Sequence, residues 1–166
     1  MRRLEHSIGP GTAYLGAMPG QQGALEQFFA WLERSQVAAV VVLNPIEEIR
    51  RKSPGYAAAI EGGDPRLPAL YQVPVENFGV PDEDTKARFL EAVRRVHTML
   101  SEGSNVYIHC GAGIGRTGMF AAALLLRDGA ALRRAVEAVR AAGSNPESGA
   151  QMHFLMSIIP SLQDEA

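Results

Sequence analysis

The stretch Val106-Tyr-Ile-His-Cys-Gly-Ala-Gly-Ile-Gly-Arg-Thr-Gly118 constrains this chain more than any other. An apolar run of β-formers ends at His109, and a glycine-dense loop follows. Met119–Leu126 then continues an almost wholly apolar helix that includes Arg116 or starts just before it. Strand, tight glycine loop and buried helix, in that order, build an anion site. The loop amides turn inward as a nest, and the positive end of the helix dipole lies beneath them. Glycines at 111, 113 and 115 allow the left-handed or strained dihedrals that such a concavity demands.

Two side chains make this cradle a candidate reaction centre. Cys110 stands at the mouth of the loop, where inward amides and a helix N-terminus favour thiolate over thiol. Arg116 supplies a planar fork that can hold two phosphate oxygens at once. Thr117 places a hydroxyl near the expected position of the sulfur. Gly111, Ala112, Gly113, Ile114 and Gly115, with Arg116, form the expected substrate-binding set. The chemistry implied is phosphoryl transfer to sulfur, with the amides and Arg116 on the equatorial oxygens and water releasing the phosphate afterwards. No metal or other cofactor is expected, because loop and arginine neutralise the charge. Other readings of the loop fail on residues: a Walker loop ends in Gly-Lys-Ser/Thr, and a dinucleotide fold needs a second βαβ unit. A metal centre would have to be built from one cysteine and four scattered histidines.

His109-Cys-Gly-Ala-Gly-Ile-Gly-Arg-Thr-Gly118 resembles the His-Cys-x5-Arg-Ser/Thr-Gly signature of the cysteine-dependent protein tyrosine phosphatase superfamily, and it is most similar to the small dual-specificity branch. Gly11–Gly20 resembles the Leu-Tyr-Leu-Gly segment that opens many of those domains. The resemblance implies a phosphatase for phosphotyrosine, with phosphoserine and phosphothreonine as further substrates. Its expected partner is a phosphorylated protein or peptide. It also implies an aspartic acid two residues before Gly-Val-Pro, to protonate the leaving oxygen. This chain has Glu76-Asn77-Phe78-Gly79-Val80-Pro81, so an amide, Asn77, stands at that position. Asp82 is the provisional general acid, ahead of Glu76 and Asp84; the competing role for Asp82 and Asp84 is to N-cap the next helix. Gln151 resembles the family's water-placing glutamine, although a helix-start glutamine is ordinarily just solvated. His109 either orients the cysteine region or is a plain strand-end residue. Two alternatives stand beside the protein phosphatase: an enzyme for a phosphoinositide or an RNA 5′ phosphate, and a phospho-binding pseudophosphatase, the latter motivated by Asn77. Against the first, the loop interior carries no lysine or arginine to meet extra phosphates.

Net charge is −2, which gives no support to nucleic-acid or membrane-surface binding. The single cysteine excludes an internal disulfide framework, and a thiolate nucleophile survives best in a reducing compartment. No signal-peptide pattern follows the N-terminal arginines, and Met119–Leu126 is too short to span a bilayer, so a cytoplasmic monomer is expected.

The rest of the chain alternates strands and helices. Gln21–Arg34 carries a helical stripe of Leu25, Phe28, Phe29 and Leu32, with Trp31 off it. Val37–Leu43 reads as a central strand buried on both faces. Ile46–Lys52 reads as a helix with Pro45 opening it and Glu47 and Glu48 near its positive end. Tyr56–Ile60 reads as a further helical turn and Leu70–Val75 as a strand. Asp84–Ser101, Ala130–Ala142 and Gln151–Leu162 read as amphipathic helices, with His97 at a core edge. The expectation is one α/β domain over residues 1–166, three-layered, with a mostly parallel sheet between helices.

Overall fold

The β-branched run beginning at Val37 lies next to the centre of a five-stranded sheet. The structure is a computed structural model that describes residues 1–163; residues 164–166, which the expected domain includes, lie outside them. The strands are β1 (Arg2–Arg3), β2 (Ala13–Ala17), β3 (Val37–Val42), β4 (Ala69–Gln72) and β5 (Asn105–Cys110). They are ordered β1-β2-β5-β3-β4, parallel throughout except at β1–β2. The strand that ends at Cys110 is therefore the middle one. The helices are α1 (Leu25–Arg34), α2 (Ile46–Lys52), α3 (Pro54–Gly62), α4 (Glu83–Ser101), α5 (Gly115–Arg127), α6 (Leu132–Ala141) and α7 (Gly149–Gln163).

Side chains alternate across a strand, so each strand feeds two cores. Ala39, Val41, Leu43, Val106, Ile108 and Cys110 pack on one face with residues of α4, α5, α6 and α7. Val40, Val42 and Tyr107 pack on the other with Phe28, Phe29, Ile49, Tyr56 and Ile60 from α1, α2 and α3. Each fully buried valine or isoleucine here contributes roughly 1.5–3 kcal/mol relative to exposure. The result is the three-layer arrangement expected from the alternation of elements. Every residue of α5 from Gly115 to Leu126 is buried, which accounts for its apolar composition. A Cβ at Gly118 would lie 2.6 Å from the Asn145 amide, so the α6–α7 connection rests directly on the first turn of α5.

Several boundaries differ from the sequence reading. α1 begins at Leu25 rather than Gln21, and Pro45 caps α2 from outside instead of occupying its first position. α3 extends the expected turn in both directions. β1 has no sequence signal, because Arg2-Arg3 carries no apolar pattern and is held by main-chain pairing with Leu15 and Tyr14. Trp31 sits edge-on to Tyr14, with ring centroids 5.1 Å apart, at the margin of the α1 core. His97 is the edge residue expected of it, with Nε2 3.0 Å from Asp128 Oδ1.

Candidate active site

Cys110 is the last residue of β5 and opens the glycine loop at the C-terminal end of the sheet, where open α/β sheets hold ligands. Three of the loop carbonyls find partners outside. Gly111 O accepts from Met18 N at 3.1 Å and Ile114 O from Asn145 N at 3.2 Å. Gly113 O accepts from Ser144 Oγ at 2.7 Å and from the Arg2 guanidinium. That guanidinium also donates to Gly143 O and lies 3.2 Å from Ser144 Oγ. With three carbonyls turned away, the amide side of the loop is left for an anion. Gly113 has φ +73°, and a Cβ there would run into the main chain of Gly16, so no other residue fits.

Arg116, in the first turn of α5, is only 2% exposed. Its Nη1 donates to Glu48 Oε2 at 2.7 Å and to Val75 O at 2.9 Å, and its Nη2 to Glu48 Oε1 at 3.2 Å. Lys52 Nζ donates to the same Glu48 Oε1 at 2.8 Å. Burial pushes the Glu48 carboxyl up, but the hydrogen bonds from Arg116 and Lys52 outweigh it and hold the group at about 2. Burial pulls Arg116 down, while Glu48 and the neighbouring Cys110 raise it on balance, so the guanidinium stays charged. A buried guanidinium must be paired, and Glu48 is the pair. Sequence reasoning gave Glu48 only a dipole role; the need for a partner was legible, but not which acidic residue would supply it.

His109 is fully buried, with Nε2 2.9 Å from the Tyr56 hydroxyl. Burial drives it far down, to about 3, so the imidazole is neutral. It is thus part of the α3-side core rather than a loose strand end. Thr117 Oγ1 is buried without a hydrogen-bond partner among the described residues.

The segment after β4 forms one wall. Asn77 is exposed, and Phe78 is exposed as well, with φ +59°. Phe78 O accepts from Ser148 Oγ at 2.9 Å and Gly79 O from Gln151 Nε2 at 3.1 Å. Gln151 is fully buried rather than solvated, because its Oε1 also accepts from Glu147 N at 2.8 Å. Asp82 is the N-cap of α4: its Oδ1 accepts from Thr85 N at 2.8 Å. The hydrogen bonds from Thr85 hold its carboxyl below the usual range. A carboxylate so stabilised is a poor proton donor, which weakens the acid role read for it from the sequence and favours the capping one. Glu147 reaches the loop from the other side: a Cβ at Gly115 would overlap its Oε2 and lie 3.0 Å from its carboxyl carbon.

The fold is similar to solved phosphatase structures. Kinase associated phosphatase with its catalytic cysteine substituted by serine is 19% identical with a TM-score of 0.78, covering 93% of this chain and 89% of that one. PTPMT1 in complex with PI(5)P is 20% identical with a TM-score of 0.73, covering 96% of each chain. Human DUSP28 is 23% identical with a TM-score of 0.66, covering 96% and 99%. No curated protein matches the chain. Residues 16–130, well over half the chain, match the family described as "Polymorphic toxin system, DSP-PTPase phosphatase", and the chain belongs to that family of phosphatases.

Proposed function

We propose that this chain hydrolyses phosphomonoesters, phosphotyrosine first and phosphoserine or phosphothreonine after it, through a phosphocysteine on Cys110. The observation that carries the reading is the buried, ion-paired guanidinium of Arg116 set beside the Cys110 sulfur, at a loop with three carbonyls turned away. In this reading Cys110 attacks phosphorus in line, and the amides of Gly111 to Arg116 hold the equatorial oxygens. Arg116 grips two of those oxygens, and Thr117 Oγ1 steadies the sulfur when it becomes the leaving group. Phe78, exposed at the rim, offers an apolar face to an aryl leaving group. The substrate is a phosphorylated protein or peptide, met by a monomer in the cytoplasm, where a thiol stays reduced.

A second substrate class has one observation in its favour. Lys52 Nζ would lie 3.5 Å from a Cβ on Gly111, which puts at the loop a second cation that the loop's own residues lack. A phosphoinositide with a neighbouring phosphate would use it.

Hydrolysis of p-nitrophenyl phosphate that resists EDTA and vanishes in Cys110→Ser is the expected result. Activity that survives in Cys110→Ser overturns the reading. Phosphopeptide binding without hydrolysis by the wild type indicates a phospho-binding module instead. A panel of phosphopeptides, phosphoinositides and RNA 5′ ends then ranks the substrates.

A further inference from the structure

The family position for the proton donor holds an amide, Asn77, so the protonating group has to come from elsewhere. Phosphate-ester cleavage without an acid expels an alkoxide or phenolate, and a positioned acid typically contributes 10²–10⁴-fold. The polar side chains near the loop differ in their commitments. Glu48 is locked between Arg116 and Lys52 and fully ionised. Asp82 is turned to the α4 amides. Gln151 has both ends of its amide engaged, with Glu147 N and with Gly79 O, so it is committed to bracing the wall.

Glu147 differs from all of these. Its main chain is fixed: its own amide donates to Gln151, and the nearby Asn145 amide donates to Ile114 O. Asn145 also presses on Gly118 in the first turn of α5. The side chain is exposed and lies over Gly115, the last glycine of the loop, which has no Cβ to block it. Its carboxylate accepts no hydrogen bond and forms no ion pair among the described residues.

We propose that Glu147 is the catalytic acid and then the base of this enzyme, a role that rests on the phosphocysteine reading above. In the first half, the Cys110 sulfur forms the P–S bond as the P–O bond to the leaving group breaks. The Glu147 proton passes to that oxygen, so a neutral alcohol or phenol departs. In the second half, the Glu147 carboxylate takes a proton from water as its oxygen bonds to phosphorus. The P–S bond then breaks, and inorganic phosphate and the Cys110 thiolate are released.

The test is a series of aryl phosphates of increasingly basic leaving group, ending in phosphotyrosine, assayed with wild type, Glu147→Gln and Cys110→Ser. The substitution is isosteric and exposed, and matching melting curves check that the fold is kept. Glu147→Gln is expected to lose roughly 100-fold in kcat on phosphotyrosine, with the loss shrinking steadily as the leaving group becomes more acidic. An unchanged kcat, or a loss equal across the series, overturns the assignment while leaving the phosphatase reading intact. No hydrolysis by wild type, or full hydrolysis by Cys110→Ser, brings down the phosphocysteine reading and this assignment together.

Discussion

Glu48 and Arg116, 68 positions apart in sequence, share a two-point ion pair in which the side chains are 9% and 2% exposed. Removing one partner leaves the other charged and uncompensated in the interior. Glu48→Gln should therefore lower stability by on the order of 3 kcal/mol. The guanidinium also loses the group that aims it, so kcat/KM should fall roughly 100-fold. Urea denaturation and kinetics on one preparation measure both; a variant with wild-type values in each would show that the pair does not matter.

Acid should lower the protein's stability along two resolvable segments of pH. His109 is depressed from 6.5 to about 3, chiefly by burial, and Glu48 from 4.5 to about 2 by the bonds that outweigh its burial. Both folded-state values lie below the ordinary ones, so each contribution is complete above the ordinary value and is lost as pH falls. Between 6.5 and 4.5 only His109 of these two titrates. Its loss should approach a slope of about 1.4 kcal/mol per pH unit. His109→Asn should flatten that segment of a stability-versus-pH curve, while the fall below 4.5 remains. An unaltered upper segment would mean that His109 is not the group responsible.

Two loop glycines should respond differently to alanine. At Gly113 the backbone is left-handed and the added Cβ meets the Gly16 main chain, which cannot yield as a side chain would. Gly113→Ala should cost at least about 2 kcal/mol and abolish turnover. At Gly111 the added Cβ would lie 3.1 Å from Glu48 Oε1 and 3.3 Å from Arg116 Nη2, both side-chain atoms. Gly111→Ala should melt near the wild-type temperature but show a raised KM, because the clamp is displaced. Thermal melts and Michaelis kinetics on the pair test this; equal loss of stability in both would refute it.

If Asp82 serves as a helix cap, Asp82→Ala should lower the melting temperature and leave kcat on an aryl phosphate within about twofold. A large drop in kcat with an unchanged melt would return the acid role to this residue.

What could be seen in the sequence was whatever depends on neighbours in the chain. The β-branched run at Val37, the glycine spacing from 111 to 115 and the apolar stripe of α5 are local patterns, and the elements follow them closely. Roles fixed by distant contacts were hidden. Nothing around Glu48 distinguishes a carboxylate that neutralises Arg116 from one that complements a helix end. Asp82 was ambiguous for another reason: an acid on a loop and an N-cap both call for a short carboxylate just before a helix. Only the bond to Thr85 separates them. Gln151 was placed correctly at a helix start, but its burial depends on Gly79, 72 residues away.

Arg2 has a consequence for how this domain is cut and handled. From β1 it reaches the carbonyls of Gly113 and Gly143, so a strut from that strand holds the glycine loop after Cys110. Ser144, Glu147 and Gln151 brace the same region from beyond the span that defines the family, residues 16–130. An excised fragment with those borders would retain sulfur and guanidinium but lose the scaffolding around them. Expression boundaries drawn by homology would then yield an inert protein whose failure says nothing about its chemistry.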